Sequence, residues 1–120
     1  MSRLFFTVSL VSAALILGAI CNPVRALGAY NGCVYPKTKP GPSHNITLRH
    51  RVFIYEQPSS TAKVRSELKL LVAFHIEAEK GEFWQVAGSS SSEPNFKEGQ
   101  IVGWVRKADF DQVPLRNCNL

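Results

Sequence analysis

The amino-terminal stretch constrains this chain more than any other part of it. Met1-Ser2-Arg3 is a short cationic start, and residues 4–20 are an uncharged, largely apolar run that stops before Asn22-Pro23. Proline breaks a helix there, because it has no amide proton and its ring clashes with the preceding turn. A cationic head, an apolar run and small residues after it make a secretory leader, and both Val24-Arg25-Ala26 and Ala26-Leu27-Gly28 fit a signal-peptidase site. The sequence therefore predicts a signal peptide over residues 1–26, cleaved after Ala26 or Gly28, and a periplasmic or secreted mature protein. The apolar run only reaches the lower limit for spanning a bilayer, so a membrane is expected as partner only through a leader left uncut. Lipid attachment at Cys21 wants a small residue before the cysteine, and Ile20 stands there instead.

Export changes what the rest of the composition means. Of 120 residues, those beyond a leader allow one domain with one modest core. With 45% hydrophobic and 19% charged residues, neither a disordered nor a fibrous class is expected. Of 14 Lys and Arg, Arg3 and Arg25 leave with the leader, so 12 remain against 9 Asp and Glu. That excess is too small for a nucleic-acid binder. Removal of Cys21 leaves Cys33 and Cys118 as the only thiols. In an oxidising compartment two thiols pair with each other, the alternative being two free buried cysteines.

Residues 27–47 contain Gly28, Gly32, Pro36, Pro40, Gly41 and Pro42, which break both helix and central strand, and read as an extended arm. Within it, Asn45-Ile46-Thr47 matches a glycosylation acceptor, relevant only in a eukaryotic host. Residues 48–120 read as the domain proper, with a C-terminal tail. Val52-Phe53-Ile54-Tyr55 is β-branched and aromatic and stops at the turn cluster Glu56-Gln57-Pro58-Ser59-Ser60. Residues 64–71 are ambiguous between a strand and a helical turn. Val72, Phe74, Ile76 and Ala78 alternate with Ala73, His75, Glu77 and Glu79, the two-residue period of a strand with one buried face. That alternation turns His75 to solvent beside Glu77. Lys80-Gly81 supplies a tight turn, and Phe83-Trp84-Gln85-Val86-Ala87 returns as the partner of a hairpin. Residues 88–99 are rich in serine and read as a long mobile loop. Ile101-Val102-Gly103-Trp104-Val105 is a fourth strand with a bend or close backbone approach at Gly103. Residues 107–110 read as one tight turn, and residues 113–115 as a short fifth strand. Five short strands bury little unless they curl, so an all-β five-stranded barrel is expected.

In order and spacing, Val52-Phe53-Ile54-Tyr55, Gln57-Pro58-Ser59, residues 72–78, Phe83-Trp84-Gln85-Val86 and the closing Gly103-Trp104-Val105 resemble the bacterial SH3-like (SH3b) domains of exported envelope proteins. The chain departs from that pattern in having Leu70-Leu71 where a glycine is common, in placing Trp84 two residues before Val86, and in the length of the segment after Ala87. The resemblance implies an SH3-like barrel whose ends meet, which would bring Cys33 near Cys118. It also implies a peptide, peptidoglycan or protein partner docked on an aromatic groove. Tyr55, Phe83, Trp84 and Trp104 are the expected ligand-binding residues, with Phe96 in the long loop as a lid. Alternation puts Trp84 with Val86 on the buried face and turns Phe83 outward.

Catalytic chemistry is not expected. The serines of residues 89–92 lie in a flexible run, whereas a catalytic serine must be held against its base. His44, His50 and His75 lack metal-ligand spacing, so neither a metal nor another cofactor is expected. Glu77, Glu79 and Glu82 flank a hairpin turn as a charged edge that discourages strand pairing. Arg49-His50-Arg51 and the trio Arg106, Lys107 and Arg116 are expected to merge into one basic patch if the first and last barrel strands are neighbours. The expected function is an exported, non-catalytic binding module. The alternative is a small secreted inhibitor or accessory subunit of a cell-wall hydrolase, presenting the loop at 88–99.

Overall fold

The computed structural model describes residues 25–26 and 32–119, and the rest of the predicted leader lies outside them. The described residues are all-β, with only single 3-10 turns besides strands. In chain order the strands are β1 (Arg25–Ala26), β2 (Cys33–Pro36), β3 (Thr38–Pro40), β4 (Ile46–Leu48), β5 (Val52–Tyr55), β6 (Val64–Leu68), β7 (Phe74–Lys80), β8 (Phe83–Gly88), β9 (Ile101–Arg106) and β10 (Phe110–Val113). All but β3 and β4 belong to one antiparallel sheet, with strand order β10-β2-β7-β8-β9-β5-β6 and β1 added on β7. β3 and β4 form a separate hairpin.

The four strands with the clearest alternation lie where the sequence puts them. β7 and β8 form the expected hairpin, with Lys80 opposite Phe83 and Gly81 at φ +55° in the turn, a conformation glycine adopts without steric cost. β9 follows β8 in the sheet and meets β5 at Trp104 and Tyr55. Gly103 makes the anticipated close approach: a Cβ there would stand 2.6 Å from Ile54 Cγ2 and 2.9 Å from the Tyr55 carbonyl oxygen. The ambiguous 64–71 stretch is strand as far as Leu68.

Elsewhere the sheet differs from the five-strand expectation. Residues 33–36, expected within an extended arm, are a strand of the sheet. β2 lies between β7 and β10, with Val34 fully buried, because Cys33-Val34-Tyr35 is a short β-prone run and both neighbours offer it an edge. β5 is flanked by β6 and β9 instead of the last strand, and no pairing closes the sheet among the described residues. The final strand comes earlier than expected, at Phe110–Val113, since Phe110 is needed in the core, and Leu115 falls in a 3-10 turn.

Both faces of the sheet are covered. Val34, Ile54, Phe74, Ile76, Val86 and Val105 make the main core on one face. Tyr55, Ala78, Phe83 and Trp104 form a second cluster on the other, and a β-bulge between Ile76 and Ala78 turns Ala78 onto that side. A third cluster surrounds the disulfide between Cys33 and Cys118, whose Cα atoms are 6.0 Å apart. This bond draws the C-terminal tail across the sheet and explains His75. Its cross-strand partners are Cys33 and Ala87, all three residues are fully buried, and the expectation that His75 faces solvent is corrected. Burial holds its pKa below the usual histidine value, against the opposing pull of Glu98 and Glu77.

The serine-rich loop is also corrected. Ser89 and Ser92 are buried and satisfy one another in a reciprocal cap, while Ser89 Oγ donates to the Ala73 carbonyl at 2.7 Å. Ser90 and Ser91 hydroxyls donate to the Cys118 and Asn117 carbonyls at 2.9 and 2.6 Å. The short hydroxyls, read from sequence as a sign of mobility, pin residues 89–92 to the disulfide-bonded tail.

Candidate functional site

The aromatic residues expected to bind ligand are brought together only in part: three of them are buried, and Trp84 and Phe96 are half-buried elsewhere. Tyr55, Phe83 and Trp104 cluster with relative exposures of 4%, 8% and 7%. The Tyr55 and Phe83 rings meet edge to face at 5.8 Å, and the Arg106 guanidinium lies over Tyr55 at 5.6 Å. Phe83 does point away from Val86 as alternation requires, but a second cluster waits on that face, so it is not an exposed anchor. Trp84 lies on the opposite face, packed against the main core as expected, with Lys107 Nζ 5.6 Å from its ring centre. Phe96 also packs on the main core, its ring 5.1 Å from that of Phe74, which makes it a cover for Phe74 and not a lid over the other four.

A different concavity is better formed. A cleft of about 540 Å³ lies between the β3–β4 hairpin, the residues that join β4 to β5, and the end of β6. Ile46, Leu48, Leu68 and Leu71 give it an aliphatic lining, and Lys39, Arg49, Arg51 and Lys69 bring four cations to it against the single carboxylate of Glu67. Ile46 is 61% exposed, a large aliphatic side chain left in water at the tip of the hairpin. The hairpin itself is made by Pro42 and by Ser43 and His44, whose φ values of +60° and +65° let the chain reverse.

Glu67 is held by its neighbours. Arg51 grips one carboxylate oxygen through Nη2 at 2.6 Å and Nε at 2.7 Å, and Lys69 Nζ approaches the other at 3.6 Å. The Arg51 hydrogen bond is the largest cause keeping the Glu67 pKa below its usual value. An ionised carboxylate shared by two cations is poorly placed to give or take a proton, whereas Lys39 and Arg49 have no acidic partner among the described residues. The arrangement suits the electrostatic capture of an anion.

The second group of cations is arranged otherwise. Lys107 pairs with Glu79 at 2.8 Å, and Lys37 lies 4.0 Å from Asp111. Asp109 stands within electrostatic reach of Arg106, His50 and Lys37, with burial pushing its pKa up more strongly than they pull it down. Acids interleave the bases at that end, in place of the single merged patch the barrel model implied. Only Arg49-His50-Arg51 was visible in sequence as part of the cleft. Lys39 and Lys69 join it through tertiary structure, and no local signal announces them. Among the described residues there is no group of three or more His, Cys, Asp and Glu able to hold a metal ion.

A scan of protein-family models finds no match to the chain, and comparisons with curated proteins and with solved structures find none either.

Proposed function

We propose that the chain is an exported, non-catalytic SH3-like module that docks a peptide, peptidoglycan or protein partner at the cell envelope. The observation that carries this reading is the cationic cleft, a preformed concavity within the usual size range of ligand sites, in which the one carboxylate is held ionised. The order of β5, β7, β8 and β9 and the close packing of Gly103 against β5 support the SH3-like assignment. Export is supported by the leader pattern and by the Cys33–Cys118 bond, which persists in an oxidising compartment. The inhibitor reading stands second to this one, because it presents residues 88–99 as a free loop and the first part of that segment is held, with Ser90 and Ser91 hydrogen-bonded to the tail.

Two experiments test the proposal. N-terminal sequencing of protein from its native host is expected to find Leu27 or Ala29 first, and retention of Met1 would replace export by membrane anchorage. Cleavage also removes Arg25–Ala26 from its place on Glu79 and Ala78 of β7. A photo-crosslinking residue at Thr47, which lines the cleft, is expected to capture a partner in the native envelope, and one at Ser59, in the turn after β5, is not. Equal capture at both positions would defeat the cleft as binding surface.

A further inference from the structure

We infer that the cleft takes an extended acidic peptide segment, which adds to β4 as a third strand with its carboxylates facing Lys39, Arg49, Arg51 and Lys69. The inference rests on the binding-module reading and names the ligand class of the same cleft.

The backbone of the hairpin is its first support. Gly41 N–H donates to the Asn45 carbonyl at 2.6 Å, and Arg49 N–H donates to the Lys37 carbonyl at 2.9 Å. Thr47, paired with Lys39, lies midway between these two contacts. In an antiparallel pair the residues alternate between bonding the partner strand and facing away from it. Asn45, Thr47 and Arg49 therefore bond toward β3, and the amides and carbonyls of Ile46 and Leu48 point the other way. No third strand joins β3 and β4 among the described residues. Ile46, Thr47 and Leu48 all line the cleft although their side chains alternate in direction, as happens when a strand borders a cavity with its edge. Across the cleft stands Leu68 of β6, itself the last strand of the large sheet. A segment lying in the cleft thus meets an unclaimed strand edge, and extended peptides bind such edges through main-chain hydrogen bonds.

The chemistry of the lining narrows the class. Four cations against Glu67 leave an excess of positive charge that complements a segment carrying several Asp or Glu. Since side chains of an added strand alternate, every second residue faces the cations and those between meet aliphatic surface such as exposed Ile46. His50 is the one ring in the lining among the described residues, with no Phe, Tyr or Trp beside it, so the broad stacking surface expected for a neutral sugar is not offered there. A bare anion would use the cations and leave the strand edge and the leucines idle.

The test uses the full chain and a fluorescent, end-capped peptide alternating glutamate with valine, read by anisotropy. Three changes are each expected to weaken binding by about tenfold or more: glutamine for glutamate in the peptide, N-methylation of the amides that face β4, and the double substitution Arg49→Glu with Lys69→Glu. Both substituted positions are on the surface, and an unchanged melting temperature confirms that the variant is folded. Equal binding of the glutamine or the N-methylated peptide would overturn the inference, as would binding to phosphatidylglycerol vesicles in preference to the peptide. Capture of an uncharged partner at Thr47 would overturn it while leaving the binding-module reading in place, and failure of Thr47 to capture any partner would remove both.

Discussion

The aromatic cluster and the cationic cleft exchange the roles their residue types suggest. Tyr55, Phe83 and Trp104 have the chemistry of binding anchors, yet they are buried against each other and against Ala78. Lys39, Arg49, Arg51 and Lys69 have the chemistry of a solvated surface, yet they converge on one cleft beside an open strand edge. The difference comes from what each element must cover. A sheet of short strands in a small domain has two faces to bury, and large aromatics are the most efficient means of covering the second. A hairpin outside the sheet has no such obligation, and it can leave both its edge and Ile46 in water.

If the aromatics serve packing, their loss must act on stability, and the disulfide sets the scale for comparison. Replacing Cys118 by serine opens a link spanning 85 residues, which in the chain-entropy model costs on the order of 4 kcal/mol. Chemical denaturation with and without the substitution is expected to show that loss and to free residues 89–92 for amide exchange, since their partners Asn117 and Cys118 belong to the tail. Phe83→Ala is expected to cost about 3 kcal/mol or slightly more, the usual penalty for emptying a buried aromatic site. A melting temperature unchanged by Phe83→Ala would return Phe83 to the surface and erase the contrast.

A smaller effect is expected from pH. His75 is held below its ordinary pKa by burial, so the unfolded chain binds a proton more readily than the folded one as pH falls through about 6.5. Stability contributed by keeping His75 neutral is present above that value and declines on acidification below it. Denaturation midpoints measured between pH 7.5 and 5.5 should fall in the natural protein and fall less in His75→Gln. A steeper fall in the variant would contradict the burial argument. The smallest effect belongs to the cleft: Arg51→Gln breaks a solvent-screened pair with Glu67 and is expected to leave the denaturation midpoint nearly unchanged. A larger loss would mean that the cations hold the fold together and are not spare for a ligand.

The legible and illegible parts of the molecule divide along the same line. β5, β7, β8 and β9 could be read because alternation and turn residues are local signals, and Gly103 could be read because only a close approach justifies glycine inside such a strand. β2 was hidden because Gly32 before it and Pro36 at its end look like breakers, while β7 and β10, the strands that recruit it, lie far along the chain. The face of His75 was predictable, but not the tail that Cys118 draws over it. Composition reads residues 88–99 as neither strand nor helix, whereas Gly88 ends β8 and Ser90–Ser92 make a 3-10 turn, and it misjudges the order of residues 89–92, since a serine hydroxyl serves equally well in a free loop and in a cap. Arg49 and Arg51 could be seen as a run, whereas the cleft they border needs Lys39 and Lys69 from other strands.

Amide chemical-shift mapping of the full chain during titration with the glutamate–valine peptide tests the contrast most directly. The account predicts shifts centred on residues 46–51 and 67–69, with Tyr55, Phe83 and Trp104 undisturbed. Shifts centred on those three aromatics, with the cleft silent, would contradict it.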